Sequence, residues 1–231
     1  MKTLKITIAI LAITLIASAA CKKDDQKPNL ETDIVTDVEG NSYKTVKIGD
    51  QWWMAENLKT TKYRNGDPIP NVTSNVEWSA LTTAAYSCYN NDFATYGEVY
   101  GMFYNWYAVA DSRNIAPLGW HVPTDAEWET MNSYLGGGSV AGGKLKEDGT
   151  SHWTSPNSGA TNTSGFTALG TGSRAGSTGI CSWIGLGNDY WSSTEANLTY
   201  SWTHYVGYDI AKCMRLSHEK RDGYCIRCVK D

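Results

Sequence analysis

The sequence predicts an α+β fold, a twisted and mostly antiparallel sheet carrying one or two helices and long loops rich in Gly, Ser and Thr. Three observations point there. Residues 125–135 have the apolar spacing and cap of a helix, residues 33–58 and 189–229 have strand composition, and neither period holds from residue 136 to 188.

Residues 33–38 and 43–48 read as a hairpin around a Gly-Asn turn, because Tyr43, Thr45 and Lys47 alternate with Lys44, Val46 and Ile48. Residues 51–58 continue as strand or extended chain. Ser74 and Glu77 stand at capping-box spacing, so a short helix is expected over residues 76–82. The clearest helix, residues 125–135, has Thr124 as N-cap, Glu127 at N3 and Pro123 placed to staple onto Trp128. Trp128, Met131 and Leu135 recur on one face before Gly136 ends the turn. Residues 136–188 are expected as folded loops with short strands, a place where function tends to sit. Strands return at residues 189–193, 201–208, 210–217 and 223–229, the last two joined by a turn at residues 218–222.

The first residues carry Lys2 and Lys5, then twelve uncharged residues run from Ile6 to Ala17 and small residues lead to Cys21. That is the layout of a secretory signal. Twelve helical residues span about 18 Å, well short of the roughly 30 Å hydrocarbon core, so the segment is a poor permanent membrane span. The junction at Cys21 resembles the bacterial lipobox, with Ser18 where that pattern usually has Leu; the rival is cleavage at an Ala-x-Ala-like site that leaves Cys21 a thiol. Lys23-Asp24-Asp25 resembles the export tag of some surface lipoproteins, against the plainer reading of a solvated charge run. The expected organisation is a signal peptide at 1–20, a lipid-anchored tether at 21–33 and one domain at 34–231. Its place would be the outer membrane, held by acyl chains on Cys21 and facing the cell exterior.

Loss of residues 1–20 removes two of the 20 basic residues and leaves 18 against 24 acidic ones, a net charge of −6. With no basic cluster longer than two residues, nucleic acid is disfavoured as a partner. The 10 Trp and 14 Tyr against 3 Phe favour rings with a polar handle, suited to half-buried positions and to binding surfaces.

Beyond Cys21 there are Cys88, Cys181, Cys213, Cys225 and Cys228, an odd number in a compartment that permits disulfides. Cys225 and Cys228 stand three apart in a strand-like run, which puts them on opposite faces and argues against a metal or redox CxxC. Pairing the last two strands about residues 220 and 221 would set Cys213 opposite Cys228, a disulfide candidate. Asn90-Asn91-Asp92 with Glu98, and Asn188-Asp189 with Glu195, offer oxygens for calcium, yet such clusters are ordinary turn formers and neither supplies a full ligand set. No serine elbow, phosphate loop or carboxylate pair is present, so no catalytic residue, metal or cofactor is expected.

Thr45-Val46-Lys47-Ile48-Gly49, Trp53-Met54-Ala55-Glu56-Asn57-Leu58, Gly119-Trp120-His121-Val122-Pro123-Thr124-Asp125-Ala126-Glu127-Trp128, Tyr190-Trp191-Ser192-Ser193-Thr194-Glu195 and Arg227-Cys228-Val229 resemble the Fibrobacter succinogenes major paralogous domain. The resemblance runs from about residue 35 to the end and implies an exported domain without an established activity. It also implies Cys88 with Cys228 as the preferred disulfide, against the Cys213–Cys228 rival. Residues 123–129 and the Cys-Ile-Arg-Cys-Val ending are similar, more distantly, to the formylglycine-generating enzymes and so imply a C-type-lectin-like fold. Those enzymes carry a cysteine pair five residues apart. Here Cys213 could take the second place, but Tyr208 occupies the first.

The expectation that follows is a non-enzymatic binding or adhesion module for glycan or protein. The alternatives are an enzyme of the formylglycine-generating or glycan-processing kind, or a structural envelope protein. Trp153 and Trp183, inside the loop-rich stretch, are the candidate exposed contacts, with Asn188 and Asp189 as polar neighbours and Arg174 as a partner for anions or sugar hydroxyls. The rival reading makes both rings pins that hold loops to the sheet.

Overall fold

A computed structural model describes residues 29–231. The expected signal peptide, Cys21 and the Lys23-Asp24-Asp25 tag lie outside the described residues. Two five-stranded sheets organise the chain. The first contains β1 (Thr32–Thr36), β2 (Ser42–Ile48), β3 (Gln51–Met54), β6 (Trp120–His121) and β12 (Val229–Lys230), in the order β1-β2-β3-β12-β6 with every pair antiparallel. The hairpin register sets Val35 opposite Tyr43, and the last two residues assigned to the tether, Thr32 and Asp33, already pair with Val46 and Thr45. The second sheet contains β7 (Thr171–Arg174), β8 (Cys181–Ile184), β9 (Gly187–Glu195), β10 (Tyr200–Gly207) and β11 (Cys213–Glu219), in the order β11-β10-β9-β7-β8. Only β7 and β9 run parallel within it. A further two-stranded ribbon joins β4 (Tyr86–Ser87) to β5 (Phe103–Tyr104).

Side-chain alternation feeds two apolar clusters from the same strands. Tyr43 and Met54 enter one cluster while Val46, Ile48 and Trp53 enter the other; Trp191 and Tyr190 divide in the same way. Cys228 and Cys225 also divide between them, as their spacing requires.

Single-turn helices α1 (Asn75–Ser79), α2 (Glu98–Tyr100) and α3 (Trp106–Val109) sit in connections. Helix α1 is capped by Ser74 as expected but ends at Ala80. Helix α4 (Asp125–Tyr134) has the full capping box of Thr124 and Glu127, with Trp128 and Met131 buried. Helix α5 (Gly138–Leu145) was expected as loop, because its sequence carries three glycines, each unfavourable by about 1 kcal/mol in a helix. Tertiary contact overrides that preference: a Cβ on Gly142 would lie 2.1 Å from the Lys212 carbonyl oxygen, and one on Gly143 2.3 Å from that of Gly159.

The expected last hairpin does not form. Strand β11 pairs with β10, while Tyr224 bridges to Tyr104, Cys225 bridges to Tyr190, and only Val229–Lys230 make a strand, in the other sheet. Arg227 holds this path, donating from Nε to Asn57 Oδ1 at 2.6 Å and from Nη2 to the Thr167 carbonyl at 2.9 Å while fully buried. Cys213 and Cys228 therefore fall in different clusters, which removes their facing arrangement. The Cys88–Cys228 bridge is not formed either: all five described cysteines are unbridged. Cys88 has a different thiol for its neighbour, Cys181, whose Sγ lies 4.0 Å from the Cys88 carbonyl oxygen.

Candidate ligand-binding cavity

Register determines what the second sheet presents. Asp189 of β9 stands opposite Tyr205 of β10, and Thr203 and Ser201 of β10 stand opposite Leu216 and His218 of β11. Period-two alternation places Asp189, Thr203, Tyr205, Leu216 and His218 on one face. That face carries a cavity of about 310 Å³ lined by Trp183, Asp189, Tyr205, Leu216, His218 and Tyr224. The volume lies at the small end of the range for small-molecule sites.

Backbone shape opens the rim. Gly172 has φ +71°, and a Cβ there would stand 2.3 Å from the Ser182 carbonyl oxygen, so only glycine lets β7 and β8 approach this closely. Opposite it, Trp183 itself has φ +69°, an outlier for a bulky side chain, and its ring is 60 % exposed. Strain of this sort persists where the surroundings over-determine it and concentrates at ligand clamps.

The floor is polar. Asp189 is 8 % exposed; its Oδ1 accepts from Thr203 Oγ1 at 2.9 Å and faces His218 Nε2 at 3.5 Å. Burial pushes the Asp189 carboxyl up to about 6, although His218 and Thr203 pull it the other way. Among the described residues no hydrogen bond reaches Asp189 Oδ2. On its far side, His218 Nδ1 meets Tyr224 Oη at 2.9 Å and Asp222 Oδ2 at 3.9 Å. Burial also raises the Asp222 carboxyl. The arrangement offers aromatic walls, one buried acceptor with a free oxygen, and an imidazole set between Asp189 and Tyr224.

Of the expected contacts, Trp183 and Asp189 meet here. Asn188 borders the cavity, but alternation along β9 turns its side chain to the face of Tyr190. Trp153 is only 3 % exposed, its Nε1 donates to the Ala168 carbonyl at 2.9 Å, and Lys146 Nζ lies 5.5 Å from its ring. The expectation of an exposed Trp153 is thus corrected: this ring pins the loop to the core. Arg174 is corrected likewise. Fully buried, it stacks on Trp78 at 4.3 Å and donates to the Gly179, Val72 and Thr73 carbonyls at 2.8, 2.6 and 3.0 Å, leaving nothing to offer a ligand. Tyr205, His218 and Tyr224 were missed; pairing residues 201–205 with 214–218 would have put His218 on the Asp189 face.

Other constellations are structural. Asp92 caps its own turn through Thr95 N at 3.0 Å, Asn91 Nδ2 donates to the Thr73 carbonyl at 3.0 Å, and Glu195 pairs with Lys220. Among the described residues no group of three or more His, Cys, Asp or Glu side chains could hold a metal ion. Burial pushes the Cys213 thiol up to about 12. Among the described residues no helix is long and apolar enough to cross a membrane.

Fold and cavity define a mixed α and β domain of mostly antiparallel, curled sheets with a small aromatic-walled pocket on one face. The chain belongs to the Fibrobacter succinogenes major domain family, whose sequence pattern matches residues 46–230. No curated protein and no solved structure matches it.

Proposed function

We propose that this chain is an exported, non-enzymatic binding module of C-type-lectin-like kind, held at the outer membrane by acyl chains on Cys21, whose cavity takes a glycan. The observation that carries the reading is Trp183, 60 % exposed at a strained φ of +69° beside a cavity floored by Asp189. A flat exposed indole stacks on the apolar face of a sugar ring, and a buried carboxylate accepts from hydroxyls. Against a cysteine-based enzyme stands the raised Cys213 thiol, which is not a nucleophile at neutral pH. The Cys21 anchor is supported by the sequence pattern at residues 16–25. A glycan array probed with the detergent-solubilised full chain tests the reading. Binding that disappears in Trp183→Ala, with an unchanged melting temperature, is expected. An array without hits, or binding indifferent to Trp183, would exclude this cavity as a glycan site.

A further inference from the structure

We propose that the cavity recognises the free ammonium group of an amino sugar, an inference that rests on the reading of this cavity as a glycan site. Three aromatic side chains from separate segments wall it: Trp183 from β8, Tyr205 from β10, and Tyr224 from the stretch before β12. Aromatic faces carry negative potential and attract cations, and a cage of such rings suits an alkylammonium group. Tyr205 is held in place by backbone that leaves it room, since a Cβ on Gly187 would stand 2.6 Å from its ring and one on Gly207 2.7 Å from its Oη.

Charge gives the same answer. Asp189 lines the cavity, Asp222 lies behind His218, and no Lys or Arg side chain borders the space among the described residues. A buried carboxylate without a fixed cation is costly, and an arriving ammonium supplies the missing counter-charge and a donor for Asp189 Oδ2. A neutral sugar brings the donor without the charge. An N-acetylated sugar does the same with added bulk, and an anionic sugar meets repulsion from Asp189. Trp183 at the rim then faces the ring that bears the amine. The contribution of each part is separable: the carboxylate selects the charge, while the exposed indole holds the sugar.

Calorimetry on the detergent-solubilised full chain with three oligomers of one β-1,4 backbone tests this: glucosamine, N-acetylglucosamine and glucose, at an ionic strength near 0.15 M to suppress nonspecific attraction. The glucosamine oligomer is expected to bind about tenfold or more tightly than the other two. Asp189→Asn should abolish that preference, and Trp183→Ala should weaken all binding. A melting curve checks that Asp189→Asn is folded; if it is not, Trp183→Ala alone decides whether binding is at this cavity. Equal or tighter binding of the acetylated or neutral oligomer would overturn the ammonium inference and leave the glycan site standing. A preference that survives both substitutions would place the cation elsewhere and also overturn it. Absence of binding by all three would overturn the inference, and the glycan array then decides separately whether the cavity takes any glycan.

Discussion

The imidazole of His204 lies flat against the indole of Trp128, with ring centroids 4.9 Å apart and planes 11° apart. The stack buries His204 completely, and burial lowers its pKa to about 4 although Asp125 opposes the shift. A base that is harder to protonate when folded destabilises the fold as it is forced to charge. Stability from this group is full above about 6.5 and is lost as pH falls toward 4, an effect of roughly 3 kcal/mol. Urea titrations at pH 7 and pH 4 should show the parent losing about 3 kcal/mol more between the two than His204→Phe, which keeps the stack without the proton site. A His204→Phe protein as acid-sensitive as the parent would refute the assignment.

Asp189 works in the opposite sense. Its carboxyl titrates at about 6 when folded, against an ordinary value near 3.9, so the folded state binds the extra proton. Stability from this group falls as pH rises from about 4 through 6 and the cost then stays constant. Asp189→Asn should therefore be more stable than the parent at pH 7 and lose that advantage at pH 4. The comparison is made in a His204→Phe background, where the opposing slope is absent. An advantage that does not depend on pH would show that Asp189 is not the titrating group.

Trp153 and Trp183 should separate on melting. Trp153→Ala removes a fully packed ring and a buried hydrogen bond, a loss of about 3 to 5 kcal/mol. Trp183→Ala, at an exposed rim, should stay within about 1 kcal/mol of the parent. Arg174→Met strands three carbonyls and should cost about 3 kcal/mol or more, and Arg174→Lys should not rescue it because a point ammonium cannot span them. Chemical denaturation reads all four; a mildly affected Arg174→Met would mean the guanidinium is not a strut.

Among the described thiols, Cys88 has Cys181 beside it, with Arg174 near both. Oxidised glutathione, itself reduced to two thiols in the exchange, should link Cys88 to Cys181 before any other pair. Peptide mapping without reductant reads the linkage, and a Cys88–Cys228 peptide as first product would contradict the geometry.

Much of this was legible locally. Thr124, Glu127 and Trp128 announce α4 because cap and apolar face lie within one short segment, and the β2 alternation is visible for the same reason. What stayed hidden depends on residues far apart. Gly142 reads as a helix breaker until Lys212 is brought against it. The segment from Tyr224 to Cys228 reads as a hairpin arm until Asn57 and Thr167 claim the Arg227 guanidinium. Trp183 and Trp153 lie in segments of like composition, and only the tertiary fold sets one at the surface and the other in the core. The cavity falls between these cases: Asp189 and Trp183 stand out in the sequence and line it, whereas His218 needs the β10–β11 register.

Val229 pairs on one side with Trp53 and on the other with His121, so the middle of the first sheet is filled by a segment remote in sequence from both of its neighbours. Synthesis runs from the N-terminus, and until residues 229–230 have emerged β3 and β6 have nothing between them. Closure of this sheet thus depends on a contact between segments far apart along the chain, the kind of pairing that forms slowly.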